Sequence, residues 1–552
     1  MKRKIIGLLI TPSPKLLIAI IGILKSGACL LPLAEVMSLE RLKFITADAK
    51  IDLLITDHDH YYIAEQLLSP EHIINLDEQE YTIDSFEPKA LQINPKDDCY
   101  IIYTSGSTGL PKGVAIRHES LSVMLLWAKD FLQLYSKIKV LQNLSYIFDF
   151  GLFELLTTVL SGGELHFFSS KNFTAISNYI NTTDINLIHT TPSFMTYLLS
   201  SAIKMKKLSQ VHLGGEEVTN SLVQKIISYS DPGVRIYNGY GPTECTINST
   251  IYQYDKNAGE KGSSRIPIGK PSANNLLYIL NESGQLQPAG VIGEICIGGI
   301  GLAESYLNSA DLTALSFVPN TFIKGEKMYR TGDLGRWLAD GNIEFFGRKD
   351  DLVKINGHRI EPGEIEKAIL KLNLSDVITV TTWCNPEGEQ SLVAYLVHEG
   401  PLNVPEIRMN LGKTLPAYMV PNYYIAIDHL PLTSSGKVNK RELPLPAEIY
   451  TASLTDSVPP RNETEEKLAR IWQEVLGKDQ IGVKDDFFEL GGHSLKAIKI
   501  ITRIQSEFNV AVDLKSLFTN STIEYLAEKI ANDQWLKISE AIDTKTHGTI
   551  EI

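Results

Sequence analysis

Short apolar runs such as Ile51–Ile55 and Val291–Ile297 recur along the first 346 residues, separated by helical patterns and glycine-rich turns. That alternation predicts a large α/β lobe over residues 1–347. From residue 348 the chain is charged at first, then holds a strand-like Ser391–Val397 and ends a second pattern near Pro446, predicting a smaller α+β lobe over 348–446. Residues 447–461 are rich in Ser and Thr, close with Pro459 and Pro460, and show no periodicity, as in a linker. Asn462 with Glu465 three residues on opens a helix that places Leu468, Ile471, Trp472, Val475 and Leu476 on one face. A second helix aligns Leu495, Ile498, Ile501, Ile504 and Phe508, and a third runs through Ile523–Ile530. These predict an all-α bundle of three or four helices over 462–535, with a frayed tail over 536–552.

A chain of 552 residues exceeds one hydrophobic core and predicts on the order of three or four compact units. Hydrophobic residues at 43% and charged residues at 21% are ordinary for a soluble protein. The 52 Lys and Arg against 65 Asp and Glu give a net charge of -13, spread along the chain, which repels polyanions and argues against a nucleic-acid partner. The five cysteines, Cys29, Cys99, Cys245, Cys296 and Cys384, lie far apart without CxxC or Cys/His spacing, suggesting a reducing cytoplasm and no structural zinc. Lys2, Arg3 and Lys4 precede apolar residues in the manner of a signal peptide, but Pro12 and Pro14 interrupt the run. Leu16–Leu24 then stops at Lys25, short of the ~20 residues of a membrane span, so no membrane is expected.

Residues 103–113 read YTSGSTGLPKG, hydroxyls and glycines closed by a lysine. Such a loop suits phosphates, because glycine lets backbone amides converge on an anion and Lys112 adds a compact charge. It is not a Walker loop, since Pro111 precedes the lysine and Gly113 follows it. By composition alone a flexible Ser/Gly hairpin explains it equally well. Downstream, NGYGPTE (238–244), YRTGD (329–333), GRKD (347–350), KINGHRIEPGEIE (354–366) and PLTSSGKVNK (431–440) follow in order. The series resembles the adenylate-forming superfamily of acyl-CoA synthetases, luciferases and nonribosomal adenylation domains.

That resemblance implies attack of a substrate carboxylate on the α-phosphorus of ATP, giving an acyl-adenylate and pyrophosphate. It implies ATP contacts at Thr104, Ser105, Gly106, Ser107, Thr108, Gly109, Lys112 and Gly239, with Tyr240 near the adenine and Asp333 and Arg348 on the ribose. Glu244 resembles the Mg²⁺ ligand and Thr243 a contact to the α-phosphate. Lys437 resembles the lysine that bridges carboxylate and phosphate, and Asp350 falls at the family's hinge. Rotation there would exchange the face carrying Lys437 for the face carrying Lys354–Ile360.

Residues 486–495 read DFFELGGHSL and resemble the carrier-protein motif, whose serine, here Ser494, accepts 4′-phosphopantetheine from a phosphopantetheinyl transferase. The resemblance thus implies an ATP-dependent, AMP-forming ligase of nonribosomal peptide synthesis that loads an amino acid as a thioester on its own carrier. A coenzyme A ligase would share the adenylation motifs and lack the carrier. The alternative is an inactive or split domain acting as carrier or scaffold, because a portion of the large lobe that usually precedes LLIAIIGILKSGACLLPL is expected but not seen. Condensation or other synthetase domains are expected on separate chains.

YIFDFGLFELL (146–156) resembles the segment in which an aspartate, here Asp149, anchors the substrate's α-ammonium. Matching positions imply a side-chain pocket of Phe150, Phe153, His189, His212, Gly214, Gly239, Ile247 and Asn248, and a polar substrate such as glutamate or glutamine, with serine behind them. Two places depart from the family pattern: Phe150-Gly151, where small residues and serine are usual, and Glu304-Ser305, where Arg-Gly is common.

Overall fold

The computed structural model describes residues 4–543 apart from 79–91, 107–108, 136, 169, 171, 256–264, 385–389, 433–437, 441, 447–457, 479, 488–489, 491, 493, 509, 511, 513–516 and 518–519. Ser107, Thr108 and Lys437 therefore lie outside the described residues. The chain forms two compact units, residues 1–364 and 365–552.

The first unit is built on three sheets. One has the order β4-β3-β1-β2-β5-β6, from β1 (Ile5–Leu9), β2 (Cys29–Leu33), β3 (Leu53–Thr56), β4 (Ile73–Asn75), β5 (Asp98–Thr104) and β6 (Lys112–Arg117). All pairings are parallel except β5 with β6. β2 is buried at every position, as a strand covered on both faces must be. The apolar run expected at Leu16–Leu24 is helix α1 (Pro14–Lys25), begun by a proline in its first turn and burying Leu16, Ala19, Ile20 and Ile23 on one face. The second sheet has the order β13-β12-β11-β10-β9-β7-β8, from β7 (Lys139–Gln142), β8 (Glu164–Phe167), β9 (Leu187–Thr190), β10 (Gln210–Gly214), β11 (Arg235–Tyr240), β12 (Thr250–Gln253) and β13 (Lys270–Pro271). Between β7 and β8 lies helix α2 (Asp149–Leu160), which begins on Asp149. The third sheet pairs β14 (Asn275–Leu280), β15 (Gly293–Gly299), β17 (Lys327–Trp337) and β16 (Phe317–Pro319), with β18 (Ile343–Arg348) on β17. A hairpin of β19 (Val353–Ile355) and β20 (His358–Ile360) completes the unit.

The second unit holds a sheet of β21 (Ile378–Cys384), β22 (Gln390–Val397) and β23 (Tyr423–Ile427), then the helical region. Helix α3 (Glu463–Leu476) is capped by Asn462, whose side chain accepts from the Glu465 amide. Helix α4 runs Ser494–Phe508 and helix α5 Ile523–Asp543. α5 thus continues into the expected tail, of which residues 544–552 lie outside the described chain. Trp472 and Phe487 sit fully buried in this core. Among the described residues no helix is long and apolar enough to cross a membrane.

Candidate active site

The glycine-rich loop joins β5 to β6 as a hairpin, with Thr104 and Lys112 as register partners at its base. Thr104 Oγ1 is buried without a hydrogen-bond partner, a donor left for something the chain itself does not supply. Lys112 Nζ reaches Glu244 Oε1 at 3.2 Å and Tyr306 Oη at 3.0 Å. Tyr306 in turn donates to Glu244 Oε1 at 2.8 Å, and Arg359 donates to Glu244 Oε2 at 2.8 Å. Burial disfavours the Glu244 charge, but Arg359 and Lys112 outweigh it and hold this carboxyl well below the usual range. Lys112 is pulled down by burial, with Glu244 opposing.

The hairpin β19–β20 closes on this cluster. Ser105 Oγ donates to the Arg359 carbonyl at 2.9 Å, and the His358 ring lies 5.0 Å from that of Phe148. A buried ion pair, Arg41 to Glu364 at 2.6 Å, ties the start of the next helix to the same unit. Lys354 is lowered by burial while the charges of Asp333 and Asp149 pull it up, so it stands within electrostatic reach of both.

The residues expected on the ribose side also meet. Asp333 accepts from Tyr240 Oη and Arg348 Nη1, each at 2.5 Å. Arg348 grips Asp350 through two bonds of 2.6 and 2.7 Å. Asp350, expected as a hinge, thus has its carboxylate engaged by the strand beside it.

Asp149 is partly buried, accepts from the Phe150 amide at 2.7 Å and is hydrogen-bonded to Thr243. Burial raises its pKa, against those hydrogen bonds and the Lys354 charge. The loop before it is held by Glu154, fully buried one turn into α2. Glu154 accepts from the Asn143 and Leu144 amides at 3.3 Å and from Asn143 Nδ2 at 3.0 Å. Asn143 also donates to the His189 carbonyl at 2.7 Å and accepts from Thr190. This network fixes α2 against β9.

The expected pocket residues come together. His189 on β9 and His212 on β10 are register partners, and Gly214 on β10 faces Gly239 on β11. Phe150 packs edge-on to His212 at 5.1 Å and Phe153 edge-on to His189 at 5.3 Å. Thr246 and Ile247 have φ of 58° and 68°, a region that β-branched residues rarely enter. Such strain persists where the surroundings impose it, and here it sets the turn that presents Asn248.

Burial alone pushes His189 down to about 3, against 6.5 unfolded. A histidine depressed in the folded state takes up its proton more readily unfolded, so its contribution is present above pH 6.5 and lost as pH falls toward 3. At pH 5 that loss is about 2 kcal/mol. Urea unfolding at pH 7.5 and 5.0 is expected to show a pH-dependent loss smaller by about this amount in His189→Gln than in the parent. Equal losses in both proteins would contradict the assignment.

Sequence reading missed Tyr306 and Glu154 as site residues, and placed Lys354 and Arg359 only on the face carrying Lys354–Ile360 without a contact to Glu244 or Asp149. Tyr306 immediately follows the noted Glu304-Ser305 departure. Ser494 is the first residue of α4. Gly492 before it is fixed by close approach and not by freedom: a methyl group there would lie 2.4 Å from the Phe487 carbonyl.

Residues 1–307 match the family described as AMP-binding enzyme, and residues 466–530 match the phosphopantetheine attachment site. The chain belongs to the AMP-binding enzyme family. Gramicidin S synthase 2 of Brevibacillus brevis is 38% identical over 540 residues, covering 96% of this chain and 12% of that protein. A solved four-domain nonribosomal peptide synthetase bound to AMP and glycine is 31% identical with a TM-score of 0.58, over 96% of this chain and 39% of that one. A solved adenylation and carrier protein bound to a vinylsulfonamide inhibitor shares the fold, at 22% identity and a TM-score of 0.76, over 96% and 88%. The chain thus joins an AMP-binding enzyme region to a phosphopantetheine attachment region, and it spans about an eighth of the length of the curated Gramicidin S synthase 2 it matches.

Proposed function

We propose that the chain activates an α-amino acid with ATP and transfers it to its own carrier domain. The observation that carries this reading is the contact between Asp149 and Thr243, the neighbour of Glu244. It supports the reading because it links the carboxylate proposed to bind the ammonium to the cluster proposed to bind the phosphates, so that one amino acid would span the two. One carboxylate oxygen attacks the α-phosphorus, the bond to the bridging oxygen breaks, and pyrophosphate leaves with the electron pair. Lys112 neutralises phosphate charge, Asp333 accepts from the ribose hydroxyls beside Arg348, and Lys437 stabilises charge in transit.

Glu244 fits a magnesium ion, being a buried carboxylate held ionised, with no cluster of three ligating side chains among the described residues. Magnesium takes one or two carboxylates and completes its sphere with phosphate oxygens and water, supplying charge neutralisation when bound. Arg359 occupies one Glu244 oxygen here, so the β19–β20 hairpin and the ion compete for the same carboxylate. That competition supports a two-position scheme, in which rotation near Asp350 brings Lys437 in for the first step and the hairpin for the second. Ser494 would hold the phosphopantetheine arm, whose thiol would supply the nucleophile for transfer of the acyl group, the acyl–phosphate bond breaking and AMP leaving. Other synthetase domains would take the loaded residue onward.

The test is exchange of labelled pyrophosphate into ATP over a panel of amino acids, with Lys437→Ala alongside. Exchange with one amino acid, reduced at least a hundredfold in the variant, is expected. Folded protein that exchanges with none, yet accepts the arm at Ser494, would leave only the carrier role.

A further inference from the structure

The Nδ1 atoms of His189 and His212 are 3.1 Å apart, and both side chains are fully buried. Two neutral imidazoles share such a contact in one way: one Nδ1 carries the hydrogen and the other accepts it. One outward Nε2 then carries a hydrogen and the other a lone pair, and moving one proton on each ring exchanges them. Both Nε2 atoms are buried without a hydrogen-bond partner, and so is Asn248 Nδ2. Buried polar atoms are nearly always satisfied, so three in one pocket wall describe a surface that a bound molecule completes.

Gly239 backs directly onto the side chains of His212 and Asn248, so these two lie side by side. A methyl group on it would lie 2.7 Å from His212 Nε2 and 2.6 Å from Asn248 Oδ1. Burial and then His189 drive His212 well below its usual pKa, so the pair is neutral at physiological pH. Among the described residues, no Lys, Arg, Asp or Glu side chain forms a hydrogen bond or ion pair with His189, His212 or the Asn248 side chain. The other pocket residues named above, Phe150, Phe153, Ile247, Gly214 and Gly239, carry no charge.

We propose that this pocket selects an uncharged side chain that both donates and accepts hydrogen bonds, a carboxamide such as glutamine or asparagine, over the matching carboxylate. The inference rests on the amino-acid-activating reading above. A carboxamide oxygen accepts from Asn248 Nδ2, and its other end meets His212 Nε2 in whichever tautomer it requires. A carboxylate brings a charge that no cation here offsets. An aliphatic side chain leaves the polar atoms of the wall unsatisfied, which a pocket built to hydrogen-bond its substrate rejects strongly.

The experiment is calorimetric titration of the full chain with non-hydrolysable aminoacyl-sulfamoyl adenosines bearing glutamine, glutamate, asparagine, aspartate or leucine. One carboxamide analogue is expected to bind at least tenfold tighter than its carboxylate counterpart and the leucyl analogue. In Asn248→Leu the advantage over the leucyl analogue is expected to shrink at least tenfold. Tighter or equal binding of a carboxylate or leucyl analogue by the parent chain overturns the inference. So does failure of all five where pyrophosphate exchange proceeds with another amino acid. Binding needs no turnover, so a carboxamide preference without any exchange would remove the activity reading and leave the pocket assignment standing.

Discussion

Asp149→Ala is expected to lower kcat/KM for amino-acid-dependent exchange by two to three orders of magnitude, chiefly through KM. The carboxylate begins α2 in a partly buried setting where burial works against its charge. On the proposed reading a substrate ammonium would restore the balance, and removing one partner of a desolvated pair costs about 3–5 kcal/mol, mostly from the charge left behind. Asp149→Asn separates charge from shape, because it retains a polar group beside Thr243 and the Phe150 amide. A comparable loss in the asparagine variant is expected, since the ammonium then lacks its counter-charge. A fall of less than tenfold in both variants would mean that the ammonium binds elsewhere.

The pattern of apolar positions showed the fold class because each lobe repeats its own period. The run before Lys25 became α1, Ser391–Val397 became β22, and Asn462 became the cap of α3. Helix α5 runs on to Asp543, past residue 535 where the helical region was expected to end, and Leu536, Ile538 and Ile542 keep apolar residues recurring along that stretch.

At the candidate site, the motif residues Lys112, Glu244, Asp333, Arg348 and Asp149 could be named from the sequence, and each engages groups nearby. Their partners were not. Arg359 meets Glu244 across 115 positions and Arg41 meets Glu364 across 323. Nothing in the local pattern distinguishes such residues from solvated charges. Glu154 is the plainest case. In sequence it is an acidic residue amid apolar neighbours, and only the folded loop shows it receiving the Asn143 and Leu144 amides. The histidine pair was named residue by residue, but its Nδ1 contact depends on the register of β9 with β10.

Glu244→Gln is expected to be costly twice, because this side chain carries a structural charge balance and, on the proposed reading, the phosphate chemistry as well. Its two oxygens answer Lys112, Tyr306 and Arg359 within 3.2 Å, and it is fully buried. Glutamine keeps the shape but removes the charge, leaving two buried cations without their counter-ion. Breaking a buried pair in this way costs about 3–5 kcal/mol, so urea unfolding should show a loss of that order. Exchange should fall at least a thousandfold, since the same carboxylate would hold magnesium against the phosphates. The charge-balance account makes a further demand. Adding Arg359→Met to Glu244→Gln removes one stranded cation, so the double variant should be destabilised by less than the sum of the single changes. Additive losses, or a glutamine variant within 1 kcal/mol of the parent, would show that the cluster is held by packing and that its charges are screened.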